Sequence, residues 1–176
     1  ALPAVITDNG LGYVMDEVRK PRVAVIGGTY IDLVVRCAHI PRAGEAVAGS
    51  ALSYSTSGPG PNQAVQAALC GCDVYLISKV GEDPCAEVAR QALAEYEVNT
   101  QYVCVASAKN TGTVVTMVNA EGENGACHYL GANASLTPED IEAAEEVIAE
   151  ADVCLIHGKL PQEAIRRGMC AAAVVG

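Results

Sequence analysis

A carboxylate, an amide and a glycine-proline loop are the groups in this chain best suited to chemistry on a polar ligand. Asp32 stands inside the apolar run Ile31-Asp32-Leu33-Val34-Val35, where a carboxylate is either a solvated strand end or a group held to accept hydrogen bonds. Further along, Ser57-Gly-Pro-Gly-Pro-Asn-Gln-Ala leads into an alanine-rich run ending at Gly71. Gly58 and Gly60 leave the backbone open, Pro59 and Pro61 stiffen it, and the spacing predicts a loop feeding a helix that Gly71 closes. The free N–H groups of such a start favour anions or hydroxyl oxygens. An ordinary loop-to-helix joint fits the local sequence equally well. Of the histidines, His39 is expected on the surface. His157 ends an apolar run, where it could meet a ligand, although a satisfied structural histidine is commoner.

Holding these groups in place calls for strands and helices in alternation. Residues 22–26 form an apolar run that stops at Gly27-Gly28, as a buried strand would. No dinucleotide fingerprint follows, because Thr29 and Asp32 stand where glycines are needed. Strands are expected over 31–35, 46–55 and 73–78, a helix over 84–96, and a hairpin from 111–118 and 126–130. Thr137-Pro-Glu-Asp140 starts a helix reaching Ala151, Val153–His157 reads as another buried strand, and a last helix runs from Pro161 to Ala173. This order mixes a parallel βαβ pattern with an antiparallel insert, so the fold class is α/β. Residues 1–20, with a turn signal at Asp8-Asn9-Gly10 and no clear period, are expected to be an N-terminal extension before a domain over 21–176. The closing Ala-Val-Val-Gly176 resembles the start of a further strand.

With no Phe or Trp, the core of this 176-residue chain must be built from Ala, Val, Leu and Ile with seven Tyr. Its charge, 11 − 21 = −10 with no long basic run, argues against nucleic acid and anionic membrane as partners. No apolar stretch has the length of a membrane span, and a cytoplasmic protein is expected. Eight scattered cysteines without a Cys-x-x-Cys pair read as mostly buried free thiols, including Cys70 and Cys72, and no metal site is expected.

Six short segments recur in one order: Gly27-Gly28 with Asp32, Pro41-x-x-Gly44-Glu45, Ser57 to Ala64, Val80-Gly-Glu-Asp83, Asn119 to Asn124, and Gly131-Ala-Asn-Ala134. On these, residues from Val23 to about Pro161 resemble the N-terminal half of ribokinase-type sugar kinases, the PfkB carbohydrate kinases. The resemblance implies a ribokinase-like, mostly parallel central sheet with flanking helices and a small β lid within 31–55 and 111–130, cut before the C-terminal nucleotide-binding half. It implies transfer of the γ-phosphate of ATP, with Mg²⁺, to a hydroxyl of a sugar, sugar acid or sugar phosphate. It implies substrate contacts at Asp32, Gly58, Gly60, Asn62, Val114, Thr116, His128 and Lys159. The family's catalytic Gly-Ala-Gly-Asp segment has no match here, nor does a P-loop, so catalytic and ATP-binding residues are expected to be absent and the isolated chain inactive. Several family positions differ: Tyr30 replaces an asparagine, Pro59 a lysine, Pro61 an alanine and Lys159 a glutamate. Thr116 and His128 bring polarity to lid positions. The alternative reading is a non-catalytic sugar-binding module or one that forms a homodimer through the lid.

Overall fold

The computed structural model describes residues 19–173, together with the backbone of two short strands before them. Those strands, β1 (Ala4–Thr7) and β2 (Gly10–Tyr13), pair antiparallel. The rest of the expected extension and the expected strand start at the C-terminus lie outside the described residues.

Four strands make a parallel sheet. They are β3 (Arg22–Ile26), β6 (Asp73–Gly81), β7 (Val103–Ala106) and β10 (Val153–Ile156), in the spatial order β10-β3-β6-β7. Side chains alternate between the two faces of such a sheet, so each face needs its own helical cover. Val23, Val25, Val74 and Leu76 pack toward one side, where α1 (Pro59–Leu69) and α2 (Pro84–Ala94) contribute Ala64, Ala86 and Leu93. Ala24, Ile26 and Ile77 pack toward the other, beneath α3 (Pro138–Glu142), α4 (Glu145–Ala149) and α5 (Gln162–Ala173).

A second sheet, ordered β5-β4-β8-β9, is built from β4 (Tyr30–Cys37), β5 (Gly49–Ser57), β8 (Gly112–Val118) and β9 (Asn124–Tyr129). β4 pairs antiparallel with β5 and parallel with β8, and β8 and β9 form a hairpin. The hairpin turn is closed by Asn119, whose Oδ1 accepts from the amides of Glu121 at 3.1 Å and Glu123 at 2.8 Å.

Three expectations need correction, and one strand had none. The helix expected over 138–151 is two short helices, since Ala144, at φ −106° and ψ 9°, leaves helical geometry; Arg167 of α5 spans the break, donating to Glu142 at 3.1 Å and Glu145 at 2.6 Å. The strand at Val153 is not buried on both faces: it is the sheet edge, and Val153 is 48% exposed. β7 went unread, being a four-residue edge strand with too few residues to show a period. Only Cys37 among the eight free cysteines is buried, while Cys70, Cys127 and Cys170 are exposed at a helix cap, an edge strand and an outer helix face.

Candidate functional site

The link between the two sheets is three residues long, Gly27 to Thr29, and it is held from several directions. Gly27 and Gly60 meet backbone to backbone: a β-carbon on Gly60 would lie 2.7 Å from the Gly27 carbonyl oxygen. Glycine at both positions lets α1 sit directly on the end of β3. Gly58 adopts φ 103°, and a β-carbon there would lie 2.6 Å from the Gly28 carbonyl oxygen and 2.7 Å from the Tyr30 ring. Asn133, in a 3₁₀ turn over Gly131–Ser135, clamps the link itself. Its Oδ1 accepts from the Thr29 amide at 2.9 Å, and its Nδ2 donates to the carbonyls of Thr29 at 2.7 Å and Leu130 at 3.0 Å. The Thr29 hydroxyl meets that of Ser78 at 2.8 Å, and Asn133, Thr29 and Ser78 are all buried. Asp83 serves β8 in the same way: it caps α2 at Ala86 and accepts from the Thr111 amide and hydroxyl, both at 2.7 Å. Burial alone would raise the Asp83 pKa, but the Thr111 and Ala86 hydrogen bonds hold it below the usual carboxylate range.

From this anchored junction β4 runs out with Tyr30 and Asp32 on one face and Ile31, 2% exposed, on the other. Asp32 faces Val114 of β8, which in turn faces His128 of β9, so the three form one row across the sheet. Thr116 and Ala126 form the next row. These side chains wall a cavity of about 360 Å³ whose other side is made by Gly58, Pro59, His157 and Lys159. Residues from the core sheet's end, from the loop before α1 and from the second sheet therefore meet around one space.

Of the eight substrate positions expected, the structure brings six together here: Asp32, Gly58, Val114, Thr116, His128 and Lys159. Gly60 and Asn62 are not among the lining residues. Gly60 is buried against Gly27, and Asn62, a helical turn on from Pro59, faces a separate depression with Thr56, Val65 and Tyr96. Tyr30, Asn124 and His157 are lining residues that the sequence reading did not place among the substrate contacts. The position of Asn124 at the far end of the hairpin hid it; Tyr30 and His157 flank segments already singled out.

The start of α1 is not the open set of amides that its sequence suggests. Pro59 and Pro61 have no N–H, the Gly60 amide donates to the Gly28 carbonyl at 3.2 Å, and that of Asn62 to the Gly58 carbonyl at 3.0 Å. Polar recognition in the cavity falls to side chains.

His157 is not the satisfied structural histidine expected from its place at a strand end. Its amide donates to the Ile26 carbonyl at 2.9 Å, but its Nδ1 is buried without a hydrogen-bond partner. Burial, and then the charge of Lys159, pushes its pKa below the ordinary histidine value, which favours the neutral ring.

A larger cavity, about 810 Å³, lies at the far end of the second sheet beside His39, Arg42, Glu45 and Asn119. Its polar groups are used on one another: Glu45 takes His39 at 2.7 Å and the Arg42 amide at 2.9 Å, and Asn119 closes its own turn. Among the described residues no three His, Cys, Asp or Glu side chains are grouped to hold a metal ion. None of the helices described is long and apolar enough to cross a membrane.

This layered α/β sheet, with a second, smaller sheet roofing a polar cavity at its strand ends, is shared with known proteins. The description "pfkB family carbohydrate kinase" matches residues 20–175, nearly the whole described chain. The chain belongs to the pfkB family of carbohydrate kinases. It is 36% identical to the ribokinase of Bacillus subtilis over 143 residues, which is 81% of this chain and 48% of that protein. It is 32% identical to the deoxyribokinase of Salmonella typhi, covering 81% of this chain and 47% of that one. The structure of Arabidopsis thaliana ribokinase with ribose and ATP superposes with a TM-score of 0.81 at 25% identity, over 89% of this chain and 51% of the other. Thermotoga maritima ribokinase gives 0.73 at 26%, over 82% and 47%. The fold is thus the ribokinase-like α/β fold, and the chain spans about half the length of the curated relatives it matches.

Proposed function

We propose that this chain carries the sugar-acceptor side of an ATP-dependent carbohydrate kinase, with the second sheet as its lid. The observation that carries the reading is the placement of Asp32 in the cavity wall, in line with Val114 and His128 and opposite Gly58 and Lys159. A carboxylate accepts several hydrogen bonds at once, and a charged acceptor strengthens each, so Asp32 orients sugar hydroxyls. Thr116 and His128 add hydroxyl and imidazole contacts from the lid, Val114 supplies apolar area and Gly58 a main-chain N–H. Gly60 and Asn62 act on the site by fixing the loop rather than by lining the cavity.

Use of ATP and Mg²⁺ is typical of the family, and in this reading neither is held by the start of α1. The start of α1 has no free amides beyond Gly58 to cradle a phosphate, and no metal-ligating cluster occurs among the described residues. We assign no step of phosphoryl transfer to the cavity described, and in this reading donor binding and the catalytic base are supplied elsewhere. The eight free thiols fit a reducing compartment, the cytoplasm.

Titration with ribose, deoxyribose and fructose, followed by thermal shift, tests the acceptor site. Asp32→Ala should weaken sugar binding by about 10- to 100-fold, as expected for a lost charged hydrogen bond worth roughly 1.5–3 kcal/mol. Unchanged sugar binding in Asp32→Ala would end the assignment, and sugar-dependent ADP release by the isolated chain would overturn the assignment of catalysis elsewhere.

A second reading, a module that pairs with its own copy through the lid, draws on exposed apolar side chains of the second sheet. Leu52 and Tyr54 are each 65% exposed, and Tyr129 52%. A monomer by light scattering across the micromolar range would dismiss it.

A further inference from the structure

The two charged side chains that line the cavity stand on different elements and do not pair with each other. Asp32 is the one carboxylate among the lining residues, on the second sheet. On the core side stand Lys159 and His157, with His128 across from them. Lys159 makes no salt bridge among the described residues, and neither does His157. The buried Nδ1 of His157 has no partner, so nothing in the protein compensates a charge on that ring. The usual source of affinity for a negative group at such a place, the amide fan of a helix start, is closed off at α1 by Pro59 and Pro61. Two nitrogen-bearing side chains from the core side of the cavity, without an anionic partner, and a carboxylate from the second sheet suit a ligand that carries both hydroxyls and a negative group.

Resting on the reading of this cavity as the sugar site, we propose that its preferred ligand is an acidic sugar, a sugar carboxylate or sugar phosphate, with hydroxyls on Asp32 and the anionic group at Lys159 and His157. A neutral sugar satisfies Asp32 and leaves the Lys159 ammonium with water. An anion there answers the ammonium directly and relieves the repulsion that Lys159 exerts on His157. A bare anion lacks the hydroxyls that engage Asp32, and the carboxylate repels it. Both ends of the ligand are needed.

Calorimetric titration of the 176-residue chain with ribose, ribose 5-phosphate, gluconate and inorganic phosphate tests this. Ribose 5-phosphate or gluconate should bind at least tenfold more tightly than ribose and than inorganic phosphate, and whichever of the two does so identifies the anionic group as phosphate or carboxylate. In Lys159→Met the ratio of acidic to neutral affinity should fall tenfold or more, and in Lys159→Arg it should be largely kept. Ribose binding as tightly as both acids, with that binding lost in Asp32→Ala, overturns the acidic preference and leaves the sugar site standing. Inorganic phosphate binding as tightly as ribose 5-phosphate overturns it as well. If no sugar of either class binds, or if binding ignores Asp32, the sugar-site reading falls and takes this inference with it.

Discussion

Replacing Asn133 with alanine strikes the clamp that fixes the junction between the two sheets. The side chain is 2% exposed, and its three hydrogen bonds, 2.7–3.0 Å long, go to main-chain groups. Truncation strips the partner from the N–H and from the carbonyl of Thr29, a residue with no exposed surface. The Leu130 carbonyl belongs to a residue 48% exposed, and water can replace its lost donor. A buried polar group left unpaired costs about 1–3 kcal/mol, so two cost about 4 kcal/mol together. Against a native stability of roughly 5–15 kcal/mol this is a large share. For a chain of this size it lowers Tm by about 8–16 °C. Urea unfolding followed by circular dichroism reads the effect, which suits a protein without tryptophan. Ser135→Ala serves as the comparison: it removes one 2.8 Å bond from the same turn to the Ala132 carbonyl, at a cost of about 1 kcal/mol. Should Asn133→Ala unfold within about 0.5 kcal/mol of the Ser135 variant, the clamp would not be what secures the junction.

Two further outcomes follow from the geometry. Gly60→Ala sets a β-carbon against the Gly27 backbone and 3.1 Å from Leu76, so it should destabilise by about 1–3 kcal/mol in urea, whereas Gly158→Ala, with nothing within 4 Å, should stay within about 0.5 kcal/mol; equal effects would refute the close contact of α1 with β3. Burial acts to raise the pKa of Asp83 and Asp140, yet hydrogen bonds, and for Asp140 the Lys79 ammonium at 2.5 Å, hold both below the ordinary aspartate value, so their contribution is present above that value and is lost as pH falls through their folded values. Urea midpoints measured from pH 5 down to pH 2 should fall, and fall less steeply in Asp140→Asn; an unchanged slope in that variant would remove Asp140 from the account.

Much of this fold is legible in the chain because its strands are short apolar runs bounded by glycine. Residues 22–26 and 73–78 announce themselves that way, and Thr137-Pro138 with Asp140 announces a helix start that the structure completes as a reciprocal cap. What escaped the sequence depends on contacts between distant segments. Nothing local tells that Asn133 reaches Thr29, that Asp83 reaches Thr111, or that the two prolines of α1 leave its remaining early amides spent within the protein. The segments that carried the family resemblance, Gly131-Ala-Asn133 and Val80-Gly-Glu-Asp83 among them, act here by fixing the backbone around the cavity. Asp32 and Asn62, both expected to contact substrate, border different spaces, and kinship across residues 20–175 is independent of that pair. Cysteine burial was misjudged for a related reason: a small apolar residue is equally at home in a core and on an outer helix face, and Cys170 occupies the latter.

The prolines at 59 and 61 have an outcome for how this cavity can diverge. Where main-chain amides do the gripping, ligand class is written into the fold and survives most point mutations. On the proposed reading it is written here into interchangeable ends of side chains, at Asp32, His128, His157 and Lys159. One codon change can therefore alter what the pocket selects without disturbing the scaffold, so that even near relatives sharing this loop need not share a substrate.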